Sequence, residues 1–196
     1  MVAGAFELAD GRLAITIGDV AGKGVRAAAS MGKIRHVLRA RAGAYREPAL
    51  VLGHANQLIC EGSRDVFATA CYMTLDASGH CRFALAGHPP PLRVGAAGAA
   101  LMPLKAGAPL GGDAAALYTE SEFDIGTGDS VVFYTDGLVE RRDEDIDRSL
   151  RRLIEAAESH PVRHRCREAR VGDRRQRARR RRRTRREVAR ASVGDV

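Results

Sequence analysis

Apolar and polar residues alternate over residues 12–17, Arg-Leu-Ala-Ile-Thr-Ile, which is the two-residue period of a half-buried strand. Asp10-Gly11 stands just before them as a hairpin turn, so the chain is predicted to open with a short strand near residues 5–8 folded back on 12–17. From residue 25 to about 42 the period changes. Ala27, Met31, Ile34 and Leu38 recur at three- and four-residue spacing, which predicts a helix stopped near Gly43. Pro48, suited to a first helical turn, starts a second helix that runs to about Cys60. Residues 67–76 and 80–86 read as strands around the Ser78-Gly79 turn, with weaker strands at 92–94 and 99–103. Two more are expected at 117–125 and 130–135, separated by Gly126-Thr127-Gly128-Asp129, before a polar helix from about 145 to 157. Helices early, strands in runs and a helix late predict an α+β layered fold.

Composition fits such a fold, with 45% hydrophobic residues in 196. There is no run of eighteen apolar residues and no basic start leading into an apolar stretch, so neither a membrane span nor a secretory signal is expected, and the expected compartment is the cytoplasm. Cys60, Cys71, Cys81 and Cys166 form no CxxC pair, which argues against a zinc or redox site and for reduced, structural thiols.

The net charge of +8 is not spread evenly. From His160 to Val196 there are fifteen Arg against four acids, about +11, so residues 1–159 carry about −3. Apolar periodicity also stops there, and the run Arg179 to Arg183 follows, so a boundary is placed between residues 159 and 160 and the tail is expected to be disordered. Three readings of the tail stay open. It is the product of a shifted reading frame, in which GAC Asp codons become CGA Arg codons, or a solvated charge run, or an arm for nucleic acid or an acidic membrane. The last rests on charge alone, without stacking aromatics or a reading helix.

Two acids stand where strands end. Asp19 closes the first apolar strand and precedes Val20-Ala21-Gly22-Lys23-Gly24, whose glycines let the backbone bend sharply. Asp136 follows Val131-Val132-Phe133-Tyr134-Thr135 and precedes Gly137. Either acid alone reads equally as a turn starter or helix cap. Two strands delivering both, if adjacent in one sheet, converge hard oxygen ligands suited to Mg²⁺ or Mn²⁺. Lys23 does not belong to a phosphate-binding loop, because GxxxxGK[ST] is absent. His88, beside Pro89, Pro90 and Pro91, reads as a turn residue rather than a general acid, and His54 and Asn56 read as polar-face residues of the second helix.

In order, GDVAGKG (18–24), FATACY (67–72), AGHPPPL (86–92), GAPLG (107–111) and YTDGLVE (134–140) resemble the signature of SpoIIE/RsbU-type metal-dependent serine/threonine phosphatases, the PPM family. The resemblance covers residues 5 to 157. It implies a four-layer α-β-β-α sandwich over residues 1–159, two Mn²⁺ or Mg²⁺ ions, and a phosphoserine or phosphothreonine protein as substrate. The usual partner is a phosphorylated anti-anti-sigma (STAS) protein, whose dephosphorylation acts in sigma-factor regulation. Carried over by motif, Asp19 is a carboxylate ligand and catalytic residue, Val20 contributes its carbonyl, Asp136 is a ligand of the second metal, and Gly22, Gly24 and Gly137 shape the loops. The implied chemistry is in-line attack of water on phosphorus with no covalent intermediate. The family's GGDxxD segment on the first strand is replaced here by Met-Val-Ala-Gly-Ala-Phe (1–6), Glu7 and Asp10 do not match it, and the Arg-rich tail stands where a closing Asp-Asp pair and strand are usual. The sandwich is thus expected to be incomplete, with at most one weakly held ion, and a binding-only pseudophosphatase is the alternative.

Overall fold

The computed structural model describes residues 2–22, 24–62, 66–140 and 145–159. Lys23, Cys166 and the whole tail from residue 160 lie outside the described residues. The hairpin predicted at the start is present, with β1 (Val2–Glu7) antiparallel to β2 (Leu13–Val20) and Glu7 opposite Leu13. Its turn is closed by Asp10, whose carboxylate accepts from the Arg12 amide at 3.2 Å and from Arg12 Nε at 2.8 Å.

Then come α1 (Val25–Ala42), α2 (Pro48–Gly62), β3 (Ala68–Leu75), β4 (His80–Ala86), β5 (Leu92–Gly95), β6 (Gly98–Leu101), β7 (Ala106–Gly107), β8 (Glu120–Asp124), β9 (Ser130–Val132), α3 (Asp136–Val139) and α4 (Ile146–Ser159). Both early helices fall on their predicted ranges. The strand expected at 117–125 starts only at Glu120, and that expected at 130–135 stops at Val132. The chain then leaves the sheet to enter α3, which at four residues is too short to leave a periodic trace.

One sheet runs β1-β2-β3-β4, with β7 and β8 both on β4, and a second runs β6-β5-β9. Strand alternation builds two cores from the first sheet. Ala68, Ala70 and Tyr72 of β3, with Ala84 and Ala86 of β4, face Ile34 and Leu38 of α1 and Val51, Leu52, Ala55 and Ile59 of α2. The intervening Cys71, Met73, Cys81, Phe83 and Leu85 pack with Ile17 and Met102, and partly buried Val131 and Phe133 join them from the second sheet's side. Tyr72 and Phe83 are fully buried, and the Phe83 side chain contributes about 1.5–3 kcal/mol in area removed from water. With α4 packed on β5 and β6, the layer order is helices, sheet, sheet, helix, an α+β sandwich.

Cys60, Cys71 and Cys81 are free thiols; the last two sit in the core between the sheets, where burial pushes both up, Cys81 to about 11. Among the described residues no helix is long and apolar enough to cross a membrane.

Candidate metal and phosphate site

Asp19 is the penultimate residue of β2, opposite Thr69 of β3. Asp136 opens α3 just beyond β9. The two strands are not neighbours in one sheet, as the sequence had suggested, but belong to the two different sheets. The acids still meet. Asp19 and Asp136 line one cleft of about 240 Å³, together with Val20, Ala21, Phe67, Ala68, Thr69 and Pro109. Convergence comes from stacking the sheets rather than from pairing two strands.

Each carboxylate is anchored by the amide that follows it. Asp19 Oδ1 accepts from the Val20 amide at 3.0 Å, and Asp136 Oδ1 accepts from the Gly137 amide at 2.7 Å. Of the glycines expected to shape these loops, Gly22 (φ 108°) and Gly24 (φ 82°) hold left-handed backbone. Gly137 does not. It lies within α3 without a positive φ, and a Cβ there would meet only Thr135 Oγ1 at 4.0 Å, so its expected shaping role has no conformational basis. A glycine passed over in the sequence, Gly18, is required by space, because a Cβ on it would run into the Thr69 carbonyl.

His88, read from the sequence as a turn residue beside three prolines, is 2% exposed, and both ring nitrogens are used. Nε2 lies 3.0 Å from the Tyr134 carbonyl oxygen, and Nδ1 lies 3.0 Å from Thr69 Oγ1. A carbonyl can only accept, so Nε2 carries the proton. Burial holds the ring below its ordinary value, against the Tyr134 carbonyl and the charges of Asp136 and Asp19, so Nδ1 is an acceptor and the Thr69 hydroxyl donates to it. Thr69 Oγ1 in turn accepts the Asp19 amide at 3.2 Å. The chain of bonds runs from the Asp19 backbone to the residue two before Asp136.

Asn56 is likewise not on a polar face. It is fully buried, its Nδ2 donates to the Asp113 carbonyl at 2.6 Å and its Oδ1 accepts from the Gly111 amide at 2.8 Å. That holds the 107–111 loop, which also pairs with β3 through Leu110 and Ala68 and puts Pro109 into the cleft wall.

The family described as Stage II sporulation protein E (SpoIIE) matches residues 9–184. The chain belongs to the SpoIIE family. Among solved structures it is similar to the RsbU and RsbW domains of Rv1364c from Mycobacterium tuberculosis, at 36% identity and a TM-score of 0.70, over 80% of this chain and 45% of that one. It is also similar to the SiaA-PP2C domain of Pseudomonas aeruginosa, at 22% identity and 0.67, over 81% and 65%. RsbX in complex with magnesium matches at 16% identity and 0.57, over 79% and 77%. The last two likenesses concern the fold alone, a phosphatase-type sandwich. This SpoIIE-family chain spans less than two thirds of the length of the first two.

Carboxylates are hard donors, and the cleft has room for an ion that keeps part of its water, so Asp19 and Asp136 suit a hard divalent cation. Among the described residues no group of three or more His, Cys, Asp or Glu is placed to hold a metal.

Proposed function

We propose that this chain is a metal-dependent protein phosphatase with a depleted ligand set, acting on phosphoserine or phosphothreonine of another protein. One observation carries the reading: Asp19 and Asp136, two hard carboxylate donors delivered from different parts of the fold, line one cleft together with Val20. Carboxylates disfavour a bare phosphate ester, and a divalent cation between them would offset that repulsion. Mn²⁺ or Mg²⁺ would be held by Asp19, Asp136 and the Val20 carbonyl, and the relative solved with magnesium supports that choice of ion. When bound, such an ion neutralises phosphoryl oxygens and acts as a Lewis acid on water.

The chain's own residues do the rest. Asp19 and Asp136 are the catalytic pair that fixes where the ester can sit. Ala21, Phe67, Ala68 and Pro109 surround it with apolar surface, which strengthens electrostatic interactions beside it. The substrate is a phosphorylated anti-anti-sigma (STAS) protein in the cytoplasm, in keeping with the 36% identity to a protein that joins an RsbU to an RsbW domain. A second reading, a pseudophosphatase that only binds its partner, is favoured because no third acid joins the cluster among the described residues.

The test is Mn²⁺-dependent hydrolysis of p-nitrophenyl phosphate and a phosphorylated STAS protein by the chain, Asp19→Ala and Asp136→Ala. Slow, Mn²⁺-dependent turnover lost in both variants is expected. Partner binding without metal-dependent turnover would favour the pseudophosphatase.

A further inference from the structure

Asp19 stands on β2 of the first sheet and Asp136 at the start of α3, just after β9 of the second, so their separation is set by whatever ties these two stretches together beside them. We infer that His88 is a positioning residue for the cleft, clamping Thr69 next to Asp19 to the Tyr134 carbonyl and so fixing the spacing of the two carboxylates. This rests on the metal reading above.

The donor count supports a clamp rather than a filler. A neutral imidazole has one donor and one acceptor, and here the donor meets Tyr134 O and the acceptor meets Thr69 Oγ1, both at 3.0 Å. The Thr69 hydroxyl is used twice, donating to the ring and accepting the Asp19 amide. A leucine or phenylalanine could fill the space without the cost of desolvating an imidazole, so the side chain is accounted for by what its two bonds hold apart. The ring also sits on a stiff mount. The Gly87 amide donates to the Gly107 carbonyl at 2.8 Å, and Pro89, Pro90 and Pro91 fix the backbone that follows. Sharing an ion between two carboxylates at about 2.0–2.6 Å leaves little tolerance for drift of either sheet.

The experiment measures Mn²⁺ affinity of the full chain by calorimetry and by loss of the free-ion paramagnetic resonance signal, with no substrate present. Thr69→Val keeps the side chain's shape and removes the hydroxyl, Thr69→Ser restores it, and His88→Ala removes the ring. Val51→Ala, a core truncation on α2 outside the cleft lining, controls for lost stability, and circular dichroism checks folding throughout. Thr69→Val and His88→Ala are expected to weaken Mn²⁺ binding about tenfold, the lower end for residues that orient ligands, while Thr69→Ser and Val51→Ala stay near the parent. If His88→Ala fails to fold, the Val and Ser pair at position 69 carries the test. Folded Thr69→Val binding Mn²⁺ as the parent does, while Asp136→Ala does not bind, overturns the clamp and leaves the metal reading standing. Asp136→Ala binding as tightly as the parent overturns both.

Discussion

Replacing Asn56 by alanine removes, from a side chain that water does not reach, its two bonds to backbone, besides a weak one from the Cys60 thiol at 3.7 Å that is left out of the sum. Each contributes about 0.5–1.5 kcal/mol net, and the Gly111 amide, partly buried, loses its partner for about 1 kcal/mol more. The Asp113 carbonyl belongs to an exposed residue and recovers a bond to water, so no second orphan is added. Together these give about 2–4 kcal/mol, a large share of the 5–15 kcal/mol typical of a domain. With a urea slope of about 2 kcal/mol/M, the unfolding midpoint should fall by about 1–2 M at unchanged slope. Gln57→Ala, on the exposed side of the same helix, should stay within about 0.5 kcal/mol of the parent. Equal midpoints for Asn56→Ala and Gln57→Ala would refute the assignment of Asn56 as the anchor of the 107–111 loop.

Two further substitutions separate conformation from packing and charge. Gly22→Ala and Gly24→Ala each place a Cβ on left-handed backbone and should cost about 1–2 kcal/mol, although neither Cβ would meet an atom within 4 Å; Gly137→Ala, within a helix, should be neutral or stabilising by urea unfolding. His80 pairs across β4 and β8 with Asp124, Nδ1 to Oδ1 at 3.0 Å, and that bond, ahead of the Asp124 and Glu122 charges, raises its pKa. Folding therefore favours the protonated ring, so this stabilisation is complete below the unfolded value near 6.5 and is lost as pH rises through the higher folded value. The urea midpoint of the parent minus that of His80→Gln should shrink between pH 5.5 and pH 8.5, and a constant difference would show that the pair contributes nothing.

The hairpin, both early helices and the β3–β4 pair were legible because each is local: a turn signal with a period of two, or apolar residues at three- and four-residue spacing. The α2 period even holds a clue that went unused. Asn56 follows Leu52 and Ala55 and precedes Ile59 on the inward stripe, and a polar residue there has to find partners. β7 and α3 were missed because two and four residues are too few to show a period. The burial of His88 was not legible for a different reason. Its neighbours are prolines and glycine, which announce a turn, and nothing local says that the turn is buried against Thr69 from one sheet and Tyr134 from the stretch after β9.

The same division runs through the site. What builds the sandwich is alternation along β2, β3 and β4, which sends Tyr72 to one core and Cys71 and Met73 to the other. None of those positions is an acid of the cleft, and neither core requires Asp19 or Asp136 to be charged. Carboxylates can therefore be lost from such a cleft while the sheets continue to stack. A TM-score of 0.70 to a relative reports on the stacking and says little about how many ligands remain. The cleft depends on the stacking in one direction only: Asp19 and Asp136 come to line it because two sheets meet, and the bonds through Thr69 and His88 link the Asp19 amide to the stretch that leads into Asp136.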